Sequence, residues 1–250
     1  MTNFDELDAI YPLKTDDLPR QWVLSQQKGD LPGEWQKRSL GRWHLACHPD
    51  ARLAQLQTDK GAHVGWVIEP MLHTVSGKAT PYPDIVRLGS DGPVDDALVE
   101  NFLYGRNASG HSDGTGLEGM WIAIVLAADF ERIYLGPIHS AVFERSTRRV
   151  ATSHNLLAPF SRNLELSKSV DPLATQNYYS FGLTAFDGIE RLLPNHYLDL
   201  HSFEPVRHWP KSTFRTLDGP TAAGRMIDHG RRIVKDIATG QEMVIPRKCS

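Results

Sequence analysis

Short apolar runs broken at turn residues set the rhythm of this chain. Residues 21–25 (QWVLS), 42–47 (RWHLAC) and 63–68 (HVGWVI) mix β-branched and aromatic side chains between Gly, Pro or Asp, so each predicts a strand and together they predict a meander. Residues 121–126, 132–135, 141–144 and 149–153 repeat that signature. Near the end, GIERLLPNHYLDLHSFEPVRHWP (188–210) places a Pro194-Asn195 turn before an alternating strand at Tyr197, Leu198, Asp199 and Leu200, and stops at Trp209-Pro210. Helical spacing is rarer. It predicts a helix over 92–104, where Val94, Ala97, Leu98, Phe102 and Leu103 follow acidic residues that complement the helix dipole, and a second helix near 154–160. A third, over 221–237, carries Ala222, Met226, Ile227, Ile233, Val234 and Ile237 on a basic background, after Asp218-Gly219-Pro220 and before Thr239-Gly240. The balance predicts an antiparallel, strand-rich α+β domain closing near Trp209.

Composition and charge then narrow the class by exclusion. Of 250 residues 40% are hydrophobic, enough to bury a substantial core, so the chain is expected to fold. The 27 Lys and Arg are interspersed with 30 Asp and Glu, which leaves neither a basic stripe for nucleic acid nor an acidic tail. Nucleic acid is therefore not expected as a partner. The longest apolar run, WIAIVLAA at 121–128, falls far short of the roughly 20 residues that span a bilayer. The first residues are acidic and polar rather than leader-like, so the expectation is a cytoplasmic protein with no membrane partner. Cys47 and Cys249 stand almost a full chain apart, which gives no disulfide framework and no paired metal or redox motif.

Four segments, in order, resemble the glutaminase-like N-terminal domain of asparagine-synthetase-like proteins. LGSDGPVDDALVENFLY (88–104) is similar to that family's Gly-Ser-Asp segment and following helix. LEGMWIAIVLAADFERIYLG (117–136) is similar to its Leu-x-Gly-Met-aromatic strand pair, and RVATSHNLL (149–157) to its strand-to-helix step. RLLPNHYLDL followed by RHWP (191–210) resembles the close of the domain. The resemblance implies an α+β, four-layer sandwich of two antiparallel sheets flanked by helices, of the N-terminal-nucleophile hydrolase type. It divides the chain into an N-terminal arm (1–20), a glutaminase-like domain (21–210), and a linker helix with the first strand of a missing or truncated synthetase domain (211–250). That last strand is expected at Met243 to Ile245. ATP and magnesium are implied only for the synthetase domain, which would be the chief partner, with a homodimer as a further possibility.

The catalytic motifs of that family are not carried over. Its glutaminases attack with a cysteine that becomes residue one, whose free amine serves as the base. This chain has Thr2, on an acidic, turn-rich arm that precedes the first strand by about 20 residues and is expected to drape loosely. The family's oxyanion hole uses an Asn-Gly pair, because an amide and a backbone N–H together stabilise the developing negative charge. The matching strand here, GWVIEP (65–70), has neither the Asn nor the pair, and the Arg-Gly-Pro-Asp clamp for the substrate carboxylate has no counterpart. Only Asp91 matches a glutamine-holding carboxylate, and it fits better as an N-cap on the helix that follows.

Other chemistry-bearing residues read as bland. His44 and His48 share a strand face from which Cys47 points away, so the three do not converge on a metal. His139 and His154 fit packed or solvated positions. His111, Ser112 and Asp113 are too close in sequence to form a triad by themselves, and Asn107-Ala-Ser109 is a formal glycosylation sequon with no meaning in a cytoplasmic chain. Two functional classes remain: a non-catalytic domain that supports an ATP-dependent amide-forming synthetase, and an active glutamine amidotransferase or amide hydrolase with a remodelled N-terminal nucleophile. Joint loss of nucleophile, oxyanion pair and clamp favours the first.

Overall fold

A computed structural model describes residues 20–28, 34–69, 72–75, 78–81, 83–104, 116–136, 139–157, 182–208 and 218–242. The chain divides into two compact units, each assembled from two separated segments: Met1–Ala51 with Ser140–Leu193, and Arg52–His139 with Pro194–Ser250.

The first unit is a six-stranded antiparallel sheet. Its strands are β1 (Trp22–Ser25), β2 (Gln36–Leu40), β3 (Trp43–Cys47), β12 (Ala141–Glu144), β13 (Arg149–Ala151) and β14 (Ile189–Leu192), in the order β14-β12-β13-β1-β3-β2. Register shows why β1 reads as an unbroken apolar run. Val23 pairs with Ala46 and Ala151, and these three join Trp35, Val142, Leu156, Leu157 and Ile189 in one cluster on one face. Leu24 pairs with Leu45 and Val150 on the opposite face, and all three are fully buried. A strand covered on both sides has no polar face to alternate with. At the sheet margin β2 (QKRSL) exposes Lys37, Arg38 and Ser39, charges and polar groups of the kind that discourage further strand pairing. Arg145, just past β12, forms a two-pronged ion pair with Glu190 of β14, at 2.6 Å from Nε and 3.1 Å from Nη2.

The second unit holds a seven-stranded sheet. Its members are β4 (Leu53–Gln57), β5 (His63–Ile68), β8 (Ile85–Arg87), β10 (Ile122–Ala127), β11 (Phe130–Leu135), β15 (His196–Asp199) and β16 (Glu204–Arg207), in the order β16-β15-β11-β10-β5-β4-β8. Every pairing is antiparallel except β4 with β8. One face, including Ala54, Leu56, Val67, Val86, Ala123 and Val125, forms a cluster with Val99, Phe102 and Leu103 of the nine-residue helix α1 (Asp96–Tyr104). On the other face Trp66, Ile68, Ile122, Ile124, Ile133 and Leu198 are buried. A small sheet of β6 (Leu72–Val75), β7 (Lys78–Pro81) and β9 (Gly116–Glu118), ordered β7-β6-β9, completes the strands. Helix α2 (Gly219–Glu242) runs beside β7. Its start is well defined: Asp218 accepts the backbone N–H of Thr221 at 2.9 Å and its hydroxyl at 2.7 Å, and Pro220 sits in the first turn, where its lack of an N–H costs nothing. These two bonds hold the Asp218 carboxyl below its ordinary range.

The expected α+β four-layer sandwich of two antiparallel sheets flanked by helices is not what the chain forms. Strand outweighs helix about two to one among the described residues. Their α-helices are α1 and α2, and the segment expected to be helical near 154–160 is a single 3-10 turn at His154–Leu157, its remainder lying outside the described residues. The nine residues of α1 lie on one face of the seven-stranded sheet, α2 runs beside β7 of the small sheet, and the 3-10 segment is a single turn, which does not make helical layers over sheets of seven and six strands. Nor do the first strands form one meander: β1 and β3 pair in the six-stranded sheet, whereas β5 belongs to the seven-stranded one. Strand 196–199 pairs with β11, and its continuation folds back as β16. Helix α2 extends beyond the stop expected at Thr239-Gly240. The strand expected at 243–245 lies outside the described residues, as do Trp209 and Pro210. Among the described residues no helix is long and apolar enough to cross a membrane.

Candidate functional site

Asp91, the one carboxylate matched to a glutamine-binding role, is committed to local structure. It does not cap α1; Asp95 does, its Oδ1 accepting the Leu98 N–H at 2.8 Å. Instead Oδ1 of Asp91 accepts the backbone N–H of Lys60 at 2.5 Å, and Oδ2 lies 3.9 Å from the Lys60 ammonium. Arg87 supports the same turn by donating to the carbonyls of Thr58 and Asp59 at 3.2 and 3.1 Å. The result is a braced β4–β5 connection with the Asp91 carboxylate as one of its struts.

The strand matched to the oxyanion-hole position is β5, buried from Val64 to Ile68. No amide side chain projects from it. Gly65 has φ +151°, and a Cβ there would fall 1.9 Å from the Ile124 carbonyl oxygen, so the glycine is required by the close passage of β10. Glu69, immediately after β5, is buried with φ +56°; its Oε1 accepts the Arg52 N–H at 3.1 Å, which closes the end of the β4–β5 ladder.

The histidines singled out in the sequence make local contacts. His44 is bonded to the Ser39 hydroxyl at 2.8 Å; burial and the Lys28 charge lower its pKa. His48 accepts the Asp50 N–H at Nδ1, 3.2 Å, and meets Trp35 edge-on at 5.8 Å, while Cys47 is fully buried. His154 stacks on Phe186 at 4.1 Å. His139 has its pKa lowered by burial, and its Nε2 has no hydrogen-bond partner among the described residues. Among the described residues no three of His, Cys, Asp and Glu come together as metal ligands would. Thr2, Asn107, Ser109, His111, Ser112 and Asp113 lie outside the described residues.

One polar constellation among the described residues is one that the sequence reading did not single out. Arg132 projects from β11 with its guanidinium over the rings of Phe130 at 4.0 Å and Tyr197 at 4.2 Å. It donates to the Asp96 carboxylate on α1 and to the Tyr134 hydroxyl at 3.3 Å, and its Nε lies 3.9 Å from Asp199. Burial opposes the Arg132 charge, but the bonds to Tyr134 and Asp96 outweigh it, so the guanidinium pKa is raised. Burial of Tyr134 pushes its hydroxyl up despite the arginine beside it, so the phenol stays neutral and acts as a hydrogen-bonding group rather than a base. Tyr134 also meets Tyr197 at 5.3 Å and His208 at 5.5 Å. The cation is thus surrounded by groups of this same unit. Phe130, Arg132 and Tyr134 share a strand face by alternation, as do Tyr197 and Asp199, a signal present in the sequence; that these two strands pair, and that Asp96 meets them, is not.

Neither a scan of protein-family models nor a search of curated proteins found a match to this chain.

Proposed function

We propose that this chain is a non-catalytic relative of the glutaminase-like domain of asparagine-synthetase-like proteins, and that it acts in the cytoplasm as structural support for an ATP-dependent, amide-forming synthetase domain. The reading rests on the four ordered segments between residues 88 and 210. The observation that carries its non-catalytic half is the commitment of Asp91 to the Lys60 turn. A carboxylate engaged by a backbone N–H and a lysine of its own chain is not disposed to hold an amino-acid substrate. The buried, amide-free strand β5 supports the same conclusion, since an oxyanion needs donors aimed at it. ATP and magnesium belong to the synthetase domain.

The purified chain, incubated with glutamine and followed by coupled ammonia detection, is expected to release no ammonia above a heat-treated control. Turnover that disappears in a Thr2→Ala variant would overturn the reading in favour of a remodelled nucleophile. Calorimetric titration with glutamine gives a second arm: saturable binding abolished by Asp91→Ala would return that carboxylate to a substrate-holding role.

A further inference from the structure

We propose that helix α2 is a self-association surface, through which two copies of this chain pair as a short parallel coiled coil. The proposal stands on α2 alone and is independent of the synthetase reading. Among the described residues the three most exposed large apolar side chains all lie on this helix: Met226 at 75%, Val234 at 68% and Ile227 at 52%. They are not scattered. Ala223, Ile227, Gly230 and Val234 follow one another at steps of four, three and four, and the sequence continues the pattern to Ile237. Alternating steps of four and three make a seven-residue repeat, which gathers these positions into one seam of the kind a second helix covers. Ala223, Ile227, Gly230 and Val234 are all exposed, whereas Ala222 beside them is half-buried, so the seam stays open where α2 runs beside β7.

Charge, shape and area select a second copy as the occupant. Arg225, Asp228 and Lys235 lie off the seam, so two identical helices approach without bringing these like charges together. Arg231 flanks the seam, 3.9 Å from Asp228. In a parallel pair it lies beside the partner's Met226, whereas in an antiparallel pair centred on Gly230 it would meet the partner's Arg231, which selects the parallel arrangement. The β-branched Ile227 and Val234 occupy alternate seam positions, the choice that favours two strands. Between them a Cβ added to Gly230 would meet nothing within 4 Å, so the two backbones are free to come close there. A lipid surface is matched by bulky apolar side chains along such a midline, not by Ala223 and Gly230. The 24 residues of α2 make it about 36 Å long. A seam of that length covering about 15 Å of each helix's circumference removes about 1,100 Å² in total, just above the size at which a specific contact holds. The helix also gains from cover, because Gly224, Gly230 and Gly240 each cost it about 1 kcal/mol against alanine.

The test is sedimentation velocity on the full chain between about 1 and 100 μM, the range that suits a contact of this size. The wild type is expected to pass from monomer to dimer across that range. Ile227→Asp combined with Val234→Asp should stay monomeric throughout, with its tryptophan unfolding midpoint unchanged at the lowest concentration, since both side chains are exposed. Gly230→Leu should lower the dissociation constant by about tenfold, because leucine at that seam position completes the two-stranded pattern, while Arg225→Leu, off the seam, should leave it unchanged. Orientation is read by oxidative cross-linking of Gly230→Cys in a Cys249→Ser background, where parallel pairing brings the two copies of position 230 together and a disulfide-linked dimer is expected. A wild type that is monomeric at every concentration, a dimer that survives the two aspartates, equal tightening by Arg225→Leu, or no cross-link would each overturn the proposal. Monomeric protein that instead sediments with phosphatidylserine-containing vesicles would overturn it in favour of lipid.

Discussion

Gly65→Ala is predicted to be among the most damaging single-methyl additions available in this chain. The glycine sits in β5 between Leu56 of β4 and Val125 of β10, beside the irregularity in register at Leu56 and Gln57. A Cβ at this position would lie 1.9 Å from the Ile124 carbonyl oxygen, 3.0 Å from its carbonyl carbon and 3.2 Å from the Val125 Cα. All three atoms are backbone, so no side chain can rotate away. A tolerable carbon-to-oxygen contact is roughly 3.3 Å, so β10 would have to withdraw by about 1.4 Å, more than a ladder hydrogen bond survives. Overpacking costs about 1–3 kcal/mol and the loss of one or two backbone bonds about 1 kcal/mol each, giving a destabilisation of about 2–5 kcal/mol. Against a total stability of about 5–15 kcal/mol this is a large fraction. Urea unfolding followed by tryptophan fluorescence, with buried Trp66 next in the strand, should show the midpoint falling by about 0.8–2 M at a slope of about 2.5 kcal/mol per M. Gly41→Ala is the control. Gly41 has φ +57° with nothing within 4 Å, so it isolates left-handed backbone strain, about 1–2 kcal/mol. If Gly65→Ala costs no more than Gly41→Ala, close passage of β10 is not what requires the glycine.

Two further outcomes follow from local geometry. Asp95→Ala removes the cap on the Leu98 N–H and should cost about 1 kcal/mol, read as a fall in melting temperature of about 2–4 °C; no shift would mean that another group caps α1. His139 is a base whose folded pKa lies below its ordinary 6.5, so the unfolded chain takes up the proton first and stability is lost as pH falls from about 6.5 towards the folded value. His139→Gln should therefore flatten the acid side of the stability profile while changing little above pH 7, and an unaltered acid limb in urea melts would contradict this.

Continuous apolar runs were legible from the sequence alone. WVLS, WHLAC, HVGWVI and AVFE are strands because β-branched and aromatic side chains at successive positions suit a backbone covered on both faces, and that preference is local. The helix at Asp96–Tyr104 was legible for the same reason, through apolar spacing, although its cap is Asp95 and not Asp91. Strands such as QKRSL, LAQLQ and EPVR carry little such signal. They are strands because a neighbour, β3, β5 or β15, offers a hydrogen-bonding edge, and that is a tertiary fact.

The same divide runs through the chemistry. Asp91 and Lys60 are 31 positions apart, and Arg132 meets Asp96 36 positions away and Asp199 only through the register of β11 with β15. Helical layers inferred from resemblance were not recoverable from periodicity, because only two described segments hold an α-helix. Which residues can be apolar at a given spacing is set by local backbone geometry and is written in the chain. Which carboxylate meets which cation depends on strand order and register, fixed only when distant segments bury their faces together.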